Sequence, residues 1–217
     1  MHTVPPHPKV WAIVVGAGAG TRFGGVKQYE LLGSERVLDR SVRIARQACD
    51  GVVIVVPPAD AERERAVAGG PTRVASVGNG LAAVPADVDV ICVHDAARPL
   101  ATAGLYARVV AAVCDGADAA VPGLPLSDTV KQVAADGTVL ATPDRATLVT
   151  VQTPQAFAAA ALRAAHADPA LTGDPTITDD AMMIERRGGR VVVVPGEPEN
   201  RKITLPDDLV HAREVCS

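Results

Sequence analysis

The chain has 217 residues, of which 48% are apolar and 2% are aromatic, and its formal net charge is −4. This length suits one sizeable α/β domain over residues 1–217, with a core built from Val, Leu, Ile and Ala. Because an acidic chain without a basic segment is a poor partner for nucleic acid, any phosphate that it binds should be small. No apolar run approaches the roughly 18 residues needed to cross a bilayer, and residues 1–10 lack the apolar core of a signal peptide. We expect no membrane partner and a cytoplasmic location.

The arrangement of the cysteines also favours a cytoplasmic location. Cys49, Cys92, Cys114 and Cys216 are isolated, without a CxxC pair or a neighbouring histidine cluster. The pattern predicts reduced, mostly buried thiols and no metal site built from protein side chains.

Short apolar runs bounded by Gly, Pro or Asp are the main secondary-structure signal. Five of them are predicted as buried strands: Val10–Val15, Val52–Val56, Val88–Val93, Ala117–Val121 and Arg190–Val194.

Segments with helical spacing separate these runs. One has Ser34 as its predicted N-cap and stops at Gly51, and another has Thr102 as its N-cap and stops at Gly116. Alternating strands and helices predict a mostly parallel sheet covered on both faces, with ligands beyond the carboxyl ends of the strands.

The segment from Asp128 to Arg145 breaks this alternation. Two alternating runs surround Asp136-Gly137, a dipeptide that favours a type I′ hairpin turn. Because an isolated hairpin is marginal in water, this arm needs a surface to lie against. Its own domain or a partner subunit could provide that surface.

A glycine-rich loop, VVGAGAGTRFGGVKQY from Val14 to Tyr29, follows the first strand. The third glycine of a dinucleotide fingerprint is missing, because Thr21 or Phe23 occupies its position. In the P-loop pattern, Val26 replaces the lysine, and Gln28 stands where Ser or Thr should follow. A tight turn without a ligand would explain the glycines but not Arg22 and Lys27. A triphosphate clamp, with backbone N–H groups and two cations, explains both.

Further polar segments follow later strands. VHDAARPL places Asp95 and Arg98 at the same rim, where a carboxylate can orient a hydroxyl or help to hold Mg²⁺, although a salt-bridged turn is the simpler interpretation. His94 is interpreted as a packing residue. GGPTRVASVGNGL offers Arg73, Ser76 and Asn79 to a base edge or ribose, or is an ordinary capped helix.

Three more segments complete the series: TVQTPQAF, TITDDAMM and NRKIT. In the second, Thr178 is predicted to cap a helix that has Asp179 and Asp180 in its first turn. In the third, Lys202 precedes a helix that begins near Pro206, where a surface lysine needs no function.

Five segments occur along the chain in the order RVASV, VHDAARP, QTPQ, TDDA and KIT, and this combination is not expected by chance. From Val10 to about Leu209, the sequence resembles the cytidylyltransferases that make 4-diphosphocytidyl-2-C-methylerythritol in the non-mevalonate isoprenoid pathway. The resemblance implies a Rossmann-like, three-layer nucleotidyltransferase fold with CTP and 2-C-methyl-D-erythritol 4-phosphate as substrates. It also implies Mg²⁺ held mainly by the CTP phosphates and a homodimer joined through a hairpin arm at about 123–150.

The resemblance also implies roles for individual residues. Four residues would have catalytic roles, acting on the transferred phosphate or on the phosphate of the second substrate: Arg22, Lys27, Arg145 and Lys202. The cytidine nucleotide would be surrounded by Gly16, Ala17, Gly18, Gly70, Pro71, Arg73, Ser76 and Ala96. The methylerythritol phosphate would be bound by Asp95, Arg98, Thr129, Thr153 and Thr178. Two of these residues, Thr129 and Arg145, would reach across a dimer interface into the neighbouring site.

The sequence departs from the family pattern in the glycine loop. The usual Pro-Ala-Ala-Gly is Val15-Gly16-Ala17-Gly18, and Val26 replaces the proline before Lys27. Two alternative functions stay open. One is transfer to another polyol phosphate such as ribitol 5-phosphate, because that family shares the loop and the KIT element. The other is nucleotide binding without catalysis, which the altered glycine loop favours.

Overall fold

The computed structural model describes residues 7–216. Residues 1–6, in which no signal peptide is predicted, lie outside the described residues. The strands are β1 Val10–Val15, β2 Leu31–Leu32, β3 Glu35–Arg36, β4 Gly51–Val56, β5 Val67–Ala68, β6 Val90–Asp95, β7 Ala119–Pro125, β8 Gln132–Val133, β9 Val139–Ala141, β10 Val149–Val151, β11 Gln155–Ala158 and β12 Val191–Pro195. The helices are α1 Val37–Ala48, α2 Ala61–Glu64, α3 Arg73–Ala82, α4 Ala103–Cys114, α5 Ala159–His166, α6 Pro169–Thr172, α7 Asp180–Arg186 and α8 Pro206–Val215.

An eight-stranded sheet forms the centre, in the order β10-β7-β11-β6-β1-β4-β5 with β12 also paired to β7. Strands β4, β1 and β6 are parallel, whereas β10 and β11 run antiparallel to β7. Helices α3, α5 and α7 pack on one face, and α1 and α4 pack on the other. The predicted three-layer α/β fold with a mostly parallel sheet is confirmed.

All five predicted strands exist. Their first residues differ from the predicted ones by at most two positions, and the carboxyl end of β7 lies further from its predicted position. The α4 prediction is confirmed, because Thr102 Oγ1 accepts a hydrogen bond from the N–H of Leu105. Ser34 as an N-cap is wrong: α1 begins at Val37 after Arg36, because Ser34 lies in the turn between β2 and β3.

The arm forms as a hairpin of β8 and β9, but its turn is not of type I′. That turn needs positive φ at both central residues, whereas only Gly137 has one, at 86°. All residues of β8 and β9 are exposed. The described part of the chain leaves this arm without a covering surface of its own.

Two further observations concern the predicted environment. The four cysteines are free thiols, but only Cys92 is buried, so the prediction that most are buried is wrong. Within residues 7–216, no helix is both long and apolar enough to cross a membrane.

Candidate active site

The carboxyl ends of the central parallel strands meet at one edge of the sheet. Val15 at the end of β1 is in register with Asp95 at the end of β6 and with Val55 near the end of β4. A cavity of about 460 Å³ lies at this edge. The predicted site residues that line it are Gly16, Ala17, Gly18, Arg22, Lys27, Gly70, Pro71, Arg73, Ser76, Asp95, Ala96 and Lys202.

The glycine loop closes one side of the cavity through a turn at Gly20. The Gly20 carbonyl accepts hydrogen bonds from the N–H groups of Phe23, Gly24 and Gly25. The φ of Gly20 is 64°, and a Cβ at this position would lie 1.9 Å from the Gly25 carbonyl oxygen. Only glycine fits this turn without a backbone shift.

Backbone donors are available at the start of the same loop. The N–H of Gly16 is used within the sheet, donating to the Val55 carbonyl at 2.7 Å. In the described part of the chain, the N–H groups of Ala17, Gly18 and Ala19 donate no hydrogen bond. Consecutive free N–H groups beside a cavity are suited to binding an anion.

Two cations at the far end of the loop are also without acidic partners. Arg22 and Lys27 line the cavity, and neither forms an ion pair with a carboxylate among residues 7–216. Burial lowers the pKa of Lys27, and the nearby charges of Lys202 and Arg22 lower it further. A bound anion would relieve this repulsion.

Asp95 is the carboxylate that lines the cavity. Its side chain is 12% exposed, and its two oxygens lie 2.6 Å from Lys202 Nζ and 3.3 Å from Arg73 Nη2. Burial opposes ionisation, but the charges of Arg73 and Lys202 outweigh it and hold the pKa of Asp95 well below its usual range. Asp95 is therefore a permanent anion that fixes two cations at the rim.

Arg73 is held from the opposite side by Asp180, whose side chain is fully buried. Arg73 Nη1 lies 2.6 Å from one oxygen of Asp180, and His166 Nε2 lies 2.9 Å from the other. Burial opposes the charge of Asp180, but Arg73 and His166 more than offset it and lower its pKa. The sequence predicted Asp180 only as a helix residue, because nothing local indicates a partner 107 positions away.

One side of the cavity is shaped by the start of α3. Thr72 caps this helix, and Ser76 Oγ accepts the N–H of Gly70 at 3.1 Å and donates to the Thr72 carbonyl at 2.9 Å. Asn79 does not line the cavity: its Nδ2 donates to the Ala68 carbonyl on β5. Its suggested contact with a base or ribose gains no support from this position.

Behind Asp95, Thr153 and His94 form a buried chain of hydrogen bonds. Thr153 Oγ1 accepts the N–H of Asp95 at 3.0 Å and lies 3.1 Å from His94 Nδ1. His94 Nε2 lies 3.1 Å from the Arg98 carbonyl oxygen, which only accepts, so the neutral ring carries its proton there. His94 is a packing residue, as predicted.

The remaining predicted residues do not line the cavity. Arg98 donates to the carbonyls of Asn200 and Val151, and so supports the segment that precedes Lys202. Thr129, Arg145 and Thr178 are exposed. Thr178 is also wrong as an N-cap, because the side chain of Asp179 accepts the N–H of Met182 and caps α7 instead.

Nine residues that line the cavity were not predicted as site residues: Val15, Ala19, Gly20, Thr21, Phe23, Gln28, Thr72, Ala97 and Thr204. Gln28 was noted only as a mismatch to the P-loop pattern. Its position next to Lys27 was the available signal.

Metal-binding groups are sparse in the described part of the chain. Residues 7–216 hold no cluster of three His, Cys, Asp or Glu side chains that could bind a metal ion. Asp95, already paired with two cations, is the carboxylate of the cavity. This donor set fits a cation that arrives on a triphosphate better than one held by the protein.

Comparison with known proteins gives consistent results. The family model for 2-C-methyl-D-erythritol 4-phosphate cytidylyltransferase, IspD, matches residues 10–216. A bifunctional IspD/IspF enzyme of Anaeromyxobacter dehalogenans is 47% identical, over 95% of this chain and 57% of that protein. The chain thus spans little more than half the length of that bifunctional relative.

Two other similar proteins match over most of their length. The 2-C-methyl-D-erythritol 4-phosphate cytidylyltransferase of Frankia casuarinae is 44% identical, with 100% of this chain and 85% of that protein covered. The crystal structure of 4-diphosphocytidyl-2C-methyl-D-erythritol synthase from Anaerococcus prevotii has a TM-score of 0.84 and 27% identity, covering 96% of this chain and 98% of the other.

Proposed function

Because the chain belongs to the 2-C-methyl-D-erythritol 4-phosphate cytidylyltransferase family, we propose that it transfers the cytidylyl group of CTP to that sugar-alcohol phosphate. An oxygen of the acceptor phosphate attacks the α-phosphorus, and the bond to the leaving pyrophosphate breaks. The observation that carries the proposal is the cavity, where backbone donors and two cations that have no acidic partner within residues 7–216 meet the Asp95–Lys202 pair. Such a cavity can hold two anions against their mutual repulsion.

The chain's own groups act by positioning and charge stabilisation, which dominate phosphoryl-type transfer. The acceptor phosphate is ionised at neutral pH, so it needs no base. The free N–H groups of Ala17 and Gly18 would bind the triphosphate, while Arg22 and Lys27 would stabilise charge that develops on the transferred phosphate and the leaving group. Both cations are already in the cavity, so little rearrangement is needed.

The other end of the cavity would hold the rest of the nucleotide and the acceptor. Gly70, Ser76 and Arg73 would surround the nucleoside, and Lys202, fixed by Asp95 at 2.6 Å, would bind the acceptor phosphate. Asp95 can also orient a hydroxyl of the acceptor, since its charge is maintained at any ordinary pH.

Mg²⁺ is proposed as a cofactor that enters with CTP. When bound, it would neutralise part of the triphosphate charge.

A homodimer joined through the arm is also proposed. Support comes from the exposed apolar side chains along the arm and the neighbouring edge of the sheet. On the arm, Val133, Val139 and Leu140 are 55%, 54% and 61% exposed. Apolar surface of this kind marks an interface. In such a dimer Thr129 and Arg145 would reach the partner's site. Sedimentation of the wild-type protein should give the mass of two chains. Leu140→Asp should shift the mass toward that of a single chain. A monomeric wild-type protein would refute the proposal.

A cytoplasmic location is proposed because the cysteines are free thiols, as expected in a reducing compartment.

The decisive experiment mixes the purified protein with CTP, Mg²⁺ and 2-C-methyl-D-erythritol 4-phosphate, and follows pyrophosphate release together with the ³¹P spectrum of the product. Reactions that lack either substrate are the controls. Turnover with ribitol 5-phosphate alone would assign another acceptor, and CTP binding without pyrophosphate release would make the protein a binding module.

A further inference from the structure

Asn200 is a fully buried polar residue in the loop between β12 and α8, two positions before Lys202. Loops normally lie at the surface, so the complete burial of an amide side chain in one of them needs a hydrogen-bond partner and a reason. Among residues 7–216, those that line the cavity include Lys202 but not Asn200. Any effect of Asn200 on a bound substrate must therefore pass through another residue.

The side chain of Asn200 is bonded to the residue that also holds Asp95. Its Nδ2 atom donates to the Thr153 carbonyl at 2.9 Å, and the Thr153 hydroxyl accepts the N–H of Asp95 at 3.0 Å. Asp95 in turn lies 2.6 Å from Lys202 Nζ. These contacts close a ring that runs from Asp95 through Thr153 and Asn200 to Lys202 and back to Asp95. Both members of the Asp95–Lys202 pair are thus held from the same residue, Thr153.

The backbone around Lys202 is anchored on both sides. Before it, the Asn200 carbonyl accepts a hydrogen bond from Arg98 Nη1 at 2.8 Å. After it, the N–H of Ile203 donates to the Ala97 carbonyl at 2.8 Å, and the Ile203 side chain is buried. Ala97 and Arg98 lie just after β6, so the loop that carries Lys202 is fixed to the end of a central strand.

We infer that Asn200 is a positioning residue, which keeps Lys202 in place to bind the phosphate of the acceptor substrate. The long lysine side chain has many conformations in solution, and the hydrogen bond of Asn200 fixes the backbone from which it extends. A cation that is already in position loses less conformational freedom when the phosphate binds, so the affinity is higher. This role rests on the proposed function, because that function assigns Lys202 to the acceptor phosphate.

Steady-state kinetics of Asn200→Ala, with pyrophosphate release as the signal, test this role. The KM for 2-C-methyl-D-erythritol 4-phosphate should rise about 5-fold, as expected for one lost hydrogen bond, with a smaller change in kcat and an unchanged KM for CTP. In Asn200→Ala/Lys202→Met, this KM should rise about 10-fold, as for Lys202→Met alone, because Asn200 then has no cation left to position. A rise near the product of the two single effects, about 50-fold, would mean that Asn200 acts independently of Lys202 and would overturn the inference.

Loss of stability alone needs a separate control. Val113→Ala, at a buried residue of α4, should also lower the melting temperature but leave the KM for the acceptor as in wild type. Calorimetric titration with CTP and Mg²⁺ checks that each Asn200 variant keeps a folded cavity. Asn200→Ser, which leaves a smaller void, replaces Asn200→Ala if that variant does not bind CTP. An equal rise of the KM values for CTP and acceptor, or failure of both variants to bind CTP when wild type does, would make Asn200 a residue of the fold alone and overturn the inference.

The position of Lys202 can also be followed without turnover. Acetic anhydride modifies lysine amines, and mass spectrometry gives the rate of modification at each lysine. In wild type, the ion pair with Asp95 should slow the reaction of Lys202 relative to that of the exposed Lys131, and Asn200→Ala should make Lys202 react several-fold faster. Unchanged labelling of Lys202 would overturn the inference. Absence of turnover in wild type, together with faster labelling in Asn200→Ala, would refute the proposed function but support the positioning of Lys202 by Asn200.

Discussion

Protonation of His94 should cost the protein stability in mildly acidic solution. The ring is fully buried between the Thr153 hydroxyl and the Arg98 carbonyl, and it packs on Tyr106 with centroids 5.6 Å apart. Burial lowers the pKa of His94 from its ordinary 6.5 to about 4. The folded protein thus binds this proton more weakly than the unfolded chain does, and stability must fall as the pH falls through the interval between these values.

The size of the effect follows from that interval. The difference between the two pKa values corresponds to about 3 kcal/mol of unfolding free energy once the pH is below both. Nearly all of the contribution is intact at about pH 8, and about 2 kcal/mol of it is lost by about pH 5. A loss of this size is a large part of the stability of an ordinary domain.

Urea unfolding at these two pH values, followed through the fluorescence of Trp11, measures the loss. Wild type should lose about 2 kcal/mol more than His94→Gln, in which no group titrates at this position. His211→Gln is the matched control, since the His211 side chain is 39% exposed, and it should follow wild type. Equal pH dependence in wild type and His94→Gln would refute the reasoning.

Three further outcomes are expected. Lys27→Ala should lower kcat by about two to three orders of magnitude in a pyrophosphate-release assay, because it removes one preorganised cation, and near-normal turnover would contradict that role. Lys202→Met should raise KM for the acceptor phosphate about 10-fold with a smaller change in kcat, whereas Arg201→Met, at a neighbouring side chain that is 56% exposed, should change neither. Gly20→Ala should lower the unfolding free energy by about 2 kcal/mol or more in urea titrations, since φ is 64° there and a Cβ would also collide with the Gly25 carbonyl oxygen. Gly18→Ala should have a smaller effect, because no atom of residues 7–216 lies within 4 Å of a Cβ at that position.

Much of the parallel core could be read from the sequence alone. Strand β1 and its glycine loop were evident from a β-branched apolar run followed by small residues, and α4 from its Thr102 cap and the glycine after its end. These features depend on local periodicity and backbone preferences, which need no knowledge of the neighbours. The edge where Asp95 and the loop meet followed from the parallel topology.

Other features were decided by tertiary structure. Strand β11 is short and contains a buried Gln155, so no apolar pattern in the sequence predicted it. In the sheet it lies between β6 and β7. The Ser34 and Thr178 caps were placed wrongly because a capping side chain in sequence does not fix where a helix starts once packing selects the first turn.

Among residues 7–216, Arg73 pairs with Asp180 and Lys27 forms no ion pair with a carboxylate. No local pattern in the sequence indicates either feature. Sequence periodicity reports which side chains are buried. Which buried groups meet, and which of them are left facing a cavity, depends on the order of strands and on contacts between segments that lie far apart along the chain.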